Sequence, residues 1–213
     1  METDLLQKLG NKEITKAELF LKVEADFTLL PELLDGTSSS KAAVRYGCGK
    51  VLMDLSEKYP EKLYTYMDRF IGLLDSKYRI LTWNAMAIIA NLTTVDCDRK
   101  FDAIFDKYYS YLSNEYMVTV ANIIGNSARI ALAKPYLVQK ITAELLRVEH
   151  SLLTPHLTTE CKRVIAEEAI KTFDAFFEEI EAKEQVLSFV KRQLDSTRPA
   201  LRKQAQGFLE RWG

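Results

Sequence analysis

His150, His156, Glu160 and Cys161 fall within twelve residues and are types that ligate zinc. Their spacing argues against it: the histidines do not share a helix face, Pro155 lies between them, and structural zinc sites use tight ligand pairs. Neither histidine stands in a motif beside a serine or cysteine nucleophile, so no hydrolytic triad is indicated. "GCGK" (47–50) has the glycines of a phosphate loop but lies inside a helical pattern, where Gly47 and Gly49 read as small residues that let helices approach. "NLT" (91–93) matches a glycosylation sequon at what reads as a buried helix end. Asp35, Asp75 and Asp195, with Arg45 and Arg202, form a ladder of charges at turns and helix starts. The expected role is structural: the aspartates cap the following helices, and the arginines bond nearby carbonyls or aspartates. No catalytic residue, cofactor site or metal site is expected, and the chain reads as non-enzymatic.

Composition narrows the classes further. The 213 residues carry 47% hydrophobic and 28% charged side chains, enough for a sizeable core. A net charge of -1 lacks the basic excess of a nucleic-acid binder. Cys48, Cys97 and Cys161 are far apart and odd in number, which reads as a reduced intracellular protein with thiols as core fillers. The opening "METDLLQKLG" places acids where a signal peptide needs bases. The apolar stretch "LLDSKYRILTWNAMAIIANL" (73–92) is interrupted by Asp75, Lys77 and Arg79, and is too short after them to span a bilayer. The expectation is a cytoplasmic protein, with the nucleus also open, and with no membrane partner.

The elements that position these residues read as helices throughout. Only 8 glycines and 5 prolines punctuate the chain, and they sit between apolar runs of helical period. A short helix is expected to stop at Gly10 in a left-handed conformation, and Thr15 with Glu18 spells a capping box. Helix pairs follow near 26–34 with 38–58, 61–74 with 77–93, 99–112 with 114–133, 136–149 with 158–181, and 183–194 with 197–211. The pairs repeat. "LLDSKYRILTWNAMAIIANL" overlies "QLDSTRPALRKQAQGFLERW" (193–212) at an offset of 120, "AVRYGCGKVLMDL" (43–55) enters the same frame, and "IIGN" (123–126) overlies "IIAN" (88–91). The pair holding the two histidines fits poorly and registers in two ways. Hairpins that recur about every 40 residues bury their apolar faces only by stacking. The predicted fold is all-α: a right-handed α-solenoid of about five hairpins. It forms one domain over 1–213, with N-terminal capping helices in 1–25 and repeats in 26–213.

Val44-Arg45 with Gly47, Cys48 and Gly49, then Ala200-Leu201-Arg202 with Ala205 and Leu209, resemble the second helix of the HEAT-repeat family. Thr82 and Met117 depart from the pattern, standing where its arginine would be. The resemblance covers roughly residues 26 to 213 and implies a HEAT-like or armadillo-like array that binds other macromolecules. Some small members of that class are DNA glycosylases acting on alkylated bases, and Asp54 with Trp83 and Tyr46 gives an alternative reading of that kind. The charge balance argues against it, because such an enzyme must hold phosphates.

In the solenoid frame, Leu81, Ala85, Ile88, Ile89 and Leu92 are core, and Trp83, Ala87 and Asn91 share the opposite face. Carried across the repeats, that column gives Tyr46, Lys50 and Asp54, then Val118, Asn122 and Asn126, then Lys203, Gly207 and Arg211. Second helices line the concave side of such arrays. The predicted activity is therefore that of a scaffold or adaptor. Tyr46, Lys50, Trp83, Asn91, Asn122, Asn126, Lys203 and Arg211 are its candidate contacts to a protein or peptide partner. The oligomeric state is left open. The acidic run 167–184 and basic run 191–212 are expected to complement each other, with a docking patch for an acidic partner as the alternative.

Overall fold

The computed structural model describes residues 4–150 and 153–213, every regular element of which is helical. The first three residues, where the N-terminal stretch begins, lie outside the described residues. The chain forms two compact units, Met1–Phe101 and Asp102–Gly213.

Unit 1 contains α1 (Asp4–Gly10), α2 (Lys16–Ala25), α3 (Leu30–Gly36), α4 (Ala42–Lys58), α5 (Pro60–Leu63), α6 (Met67–Leu73) and α7 (Arg79–Leu92). The capping box forms as expected: the Thr15 hydroxyl accepts the Glu18 N–H, and the Glu18 carboxylate accepts the Thr15 N–H. Gly10, by contrast, does not adopt the left-handed conformation. It is the last residue of α1, and the left-handed residue is Lys12 (φ 63°). Gly10 is small for another reason, since a Cβ there would come within 3.0 Å of Val44 Cγ2. α4 is the hub of the unit, packed against α1, α2, α3 and α7. Val44, Cys48, Leu52 and Leu55 on it are buried, as are Leu19, Val23, Leu33 and Ala85 on the helices packed around it.

Unit 2 takes up α8 (Lys100–Ser110, which starts at the unit boundary), α9 (Met117–Ala133), α10 (Val138–Leu146), α11 (Thr159–Asp174), α12 (Lys183–Lys191) and α13 (Pro199–Trp212). α11 is packed between α9 and α13, so the three second helices form one layer. Ile123, Ile124, Ile170, Phe173 and Leu201 are buried there. Prolines take positions that need no amide hydrogen: Pro60 opens α5, Pro135 opens a short 3-10 turn before α10, and Pro199 opens α13.

The first helices of the first, second and fourth pairs, each read from the sequence as one piece, begin with or are broken by a 3-10 turn. The second repeat shows it plainly, as α5, a 3-10 turn at Tyr64–Tyr66, and α6 before α7. In that repeat two helical pieces precede the long one. The five hairpins share a turn device that fixes their register. Lys41, Tyr78, Tyr116, His156 and Arg198 each donate their N–H to the side chain two residues earlier, at Ser39, Ser76, Asn114, Thr154 and Ser196, over 3.0–3.3 Å. Asp35 does not cap the second helix of its pair as expected. The N-cap residues of α4, α7 and α13 make no side-chain cap bond, and Asp35 instead pairs with Arg69 at 3.0 Å. A serine or its equivalent orders the turn because its short side chain reaches the amide two residues on.

Cys48 is a buried core residue, but Cys97 is exposed and Cys161 half-buried, so core filling holds for only one of the three thiols. Among the described residues no helix is long and apolar enough to cross a membrane.

Candidate functional site

The N-caps of the second helices are Lys41, Tyr78, Tyr116, Thr158 and Arg198, separated by 37, 38, 42 and 40 residues. These positions correct the frame read from the sequence in the third repeat. Matching "IIGN" to "IIAN" implies an offset of 35, whereas the N-caps Tyr78 and Tyr116 are 38 apart. In the true frame the residues equivalent to Trp83 and Ala87 are Ala121 and Gly125, and Asn122 and Asn126 lie one position further along α9. The poorly fitting fourth repeat also falls into place, with a turn that holds two more residues between Thr154 and its N-cap.

The fourth residue after the N-cap performs one task in the first, second and fifth repeats. Arg45 donates Nη1 to the Ser39 and Ser40 carbonyls (2.7 and 3.1 Å), and Arg202 donates to the Ser196 carbonyl (2.6 Å). Thr82 reaches the Ser76 carbonyl at 3.4 Å, and Lys162 reaches the Glu149 carbonyl at 3.4 Å. The expected structural role of the arginines therefore holds, and the Thr82 hydroxyl takes the same place, whereas Lys162 bonds a carbonyl outside the turn. In the third repeat this position is Val120, not Met117, and it is buried. These turn contacts account for the two arginines of the charged ladder.

In unit 1 the outward column of α4 and α7 is partly aromatic. Tyr46 and Trp83 are half-buried, Lys50 is exposed, and Asp54 accepts a hydrogen bond from Lys50. Tyr46 meets Tyr78 edge-on at 6.2 Å, and the Arg45 guanidinium stacks over the Tyr78 ring at 3.7 Å. Tyr78 was missed in the sequence because it belongs to the turn and not to the column. Asn91 is the main correction. It is buried, donating to Ser56 Oγ at 2.8 Å, and joins α7 to α4. Polar type and position on a helix flank suggested an exposed contact, but Ser56 supplies a buried partner. Gly49 lets the same two helices close, since a Cβ there would stand 2.7 Å from Asn84 Nδ2 and 2.8 Å from Leu81 Cδ2.

In unit 2 the equivalent surface is charged. Arg198 donates to Glu160 (2.7 Å) and Glu167 (2.9 Å), Arg163 to Glu160 (3.1 Å), Lys171 to Glu167 (3.0 Å), and Arg211 to Asp174, which also accepts the Trp212 indole N–H. The acidic and basic runs complement each other where Arg198 meets Glu167 and Arg211 meets Asp174. Hydrogen bonds from Arg198 and Arg163 hold the Glu160 carboxyl below its usual range. Partial burial works to raise the Glu167 carboxyl, but bonds from Arg198 and Lys171 outweigh it and keep that group low as well. Asn122 and Asn126 are half-buried and each donates its amide to the carbonyl four residues back, at 2.8 Å. Lys203 is exposed on α13. His156 stacks on Tyr116 at 5.0 Å, while His150 lines a separate cavity of about 510 Å³ with Tyr109, Glu115, Glu144 and Arg147. Among the described residues no group of three or more histidine, cysteine, aspartate or glutamate side chains could hold a metal ion.

No family model and no curated protein matches the chain. Solved structures do. A designed armadillo repeat protein superposes with a TM-score of 0.59 at 18% identity, covering 98% of this chain and 92% of its own. An engineered protein superposes with a TM-score of 0.50 at 16% identity, covering 97% of this chain and 86% of its own. At these identities the likeness speaks for the fold alone: the chain is an all-α repeat solenoid of armadillo-like type.

Proposed function

We propose that this chain is a non-enzymatic scaffold that binds a protein or peptide along the second-helix face of unit 1. The observation that carries the reading is the placement of Tyr46 and Trp83. They occupy the same repeat position on packed neighbouring helices, and both keep part of their surface outside the core. Large amphipathic rings at such positions bury much area at low entropic cost, and interfaces concentrate their energy in them. The armadillo-like architecture supports the reading, because repeat arrays offer extended binding surfaces. We read the hairpins as related to HEAT repeats on the strength of the Val44-Arg45 and Leu201-Arg202 motifs, and the compartment as cytoplasmic on the free thiols. Peptides selected from a random displayed library against the whole chain test the proposal. Trp83→Ala and Tyr46→Ala should each weaken the selected binders at least ten-fold while leaving the helical circular dichroism and melting temperature nearly unchanged.

A further inference from the structure

A second cavity lies at the edge of that face, in unit 1. It measures about 500 Å³ and is formed by the α1–α2 turn, the start of α2 and the first turns of α4. Leu9, Ile14, Ala42, Ala43 and Gly47 make its lining mostly apolar, Tyr46 is one wall, and Lys12 and Lys16 supply the charge. Among the described residues no carboxylate lines it. The two nearest in sequence are committed elsewhere, Glu18 to the Thr15 amide and hydroxyl and Glu13 to the Asn11 amide. Lys12 and Lys16 make no ion pair among the described residues. Lys12 also holds a left-handed backbone (φ 63°), a conformation that non-glycine residues seldom adopt. It is kept there by the turn, in which the Glu13 and Ile14 amides both return to the Lys8 carbonyl at 2.9 and 3.4 Å.

We propose that this notch takes a short segment of a partner protein in which an apolar side chain adjoins a carboxylate. The apolar group fills the floor between Leu9, Ile14 and Ala43, and the carboxylate lies between Lys12 and Lys16. The volume suits one or two side chains of a bound segment, within the range of ordinary ligand pockets. A small inorganic anion would leave the floor wet, and a purely apolar ligand would leave two ammonium groups without a counter-charge. Tyr46 belongs to both the notch and the outward column, so a chain crossing unit 1 can engage both. The inference rests on the reading that unit 1 carries a polypeptide partner.

The test uses the full chain and dodecamer peptides selected on it from a random displayed library, with affinities measured by isothermal titration calorimetry. The expected binders place Leu, Ile or Phe next to Asp or Glu and weaken with added salt. They should lose at least ten-fold in affinity in the double variant Lys12→Glu, Lys16→Glu. Ala43→Phe, which fills the floor from an exposed position, should reproduce that loss, and circular dichroism confirms that both variants fold. Binders that lack acidic residues overturn the proposal, as do acidic binders indifferent to both changes. Binding of octanoate that displaces no peptide, or self-association abolished by the double variant, assigns the notch to another occupant and also overturns it. Binders sensitive to Trp83→Ala alone reject the notch and leave the proposed face standing. Failure to select any binder rejects both.

Discussion

The second helices of the two units carry equivalent positions, but the units satisfy them with different chemistry. Between α4 and α7, neutral groups do the joining: the Asn91 amide bonds Ser56, and Gly49 admits the Asn84 and Leu81 side chains. Between α11 and α13, ions do it, with Arg198 shared by Glu160 and Glu167 and Arg211 held by Asp174. The difference decides what each face has left to offer. Along α11 Glu160, Glu167 and Asp174 already have cations, and a partner would have to compete with those pairs for little return, since exposed pairs contribute about 0–1 kcal/mol each. In unit 1 Asn91 and Ser56 are paired inside, and Tyr46 and Trp83 keep part of their surface outside beside the Lys50–Asp54 pair. Burying such rings on binding costs little desolvation, and truncating a residue of this kind at an interface removes about 2 kcal/mol or more.

The contrast can be broken most severely at the glycine contact. Gly49→Val should destabilise unit 1 by about 1–3 kcal/mol, because the added carbons meet Asn84 and Leu81 inside a filled helix interface. Chemical denaturation followed by circular dichroism measures the loss. Asn91→Ala comes next. It leaves the buried Ser56 hydroxyl without its donor and opens a small void, at an expected cost of about 1–3 kcal/mol. An Asn91 that faced solvent would cost almost nothing.

The ionic layer of unit 2 predicts a pH effect of definite sign. Glu160 and Glu167 have carboxyl pKa values below their usual 4.5 in the folded chain. Their stabilisation is therefore present above that unfolded value and is lost as pH falls through it toward the lower folded value. Melting temperature should decline with acidification from about pH 5, and Arg198→Gln should flatten the decline by removing a donor from both carboxylates. A slope unchanged by Arg198→Gln would remove this cross-helix pair from the account. The smallest effect has the opposite direction. A Cβ on Gly207 would meet nothing within 4 Å, so Gly207→Ala should stabilise α13 by about 0.5–1 kcal/mol through helix propensity alone.

Much of the architecture was legible because stacked hairpins impose one apolar rhythm on the chain. The core residues Leu81, Ala85, Ile88, Ile89 and Leu92 are all buried as that rhythm implied. The same rhythm hid the register of α9. A slip of three residues keeps a helix's apolar face nearly in place, so "IIGN" imitated "IIAN" convincingly. The safer marker was the polar residue two positions before each N-cap or turn amide, present at Ser39, Ser76, Asn114, Thr154 and Ser196. Asn91 could not be placed from its own position, because its burial depends on a serine 35 residues earlier in the chain. The notch escaped for a similar reason. Leu9, Lys12, Lys16 and Ala43 come from separate helices and a turn, and no spacing along the chain announces them.

Trp83 bears most directly on the claim that unit 1 presents an aromatic binding face. Calorimetric titration of selected peptides onto the native chain and Trp83→Ala, with denaturation curves for both, separates packing from recognition. The account predicts at least a ten-fold loss of affinity with stability changed by less than about 1 kcal/mol, below the cost of truncating a fully buried core aromatic. Unaltered affinity accompanied by a loss of about 3 kcal/mol or more in stability would contradict it and assign Trp83 to the core.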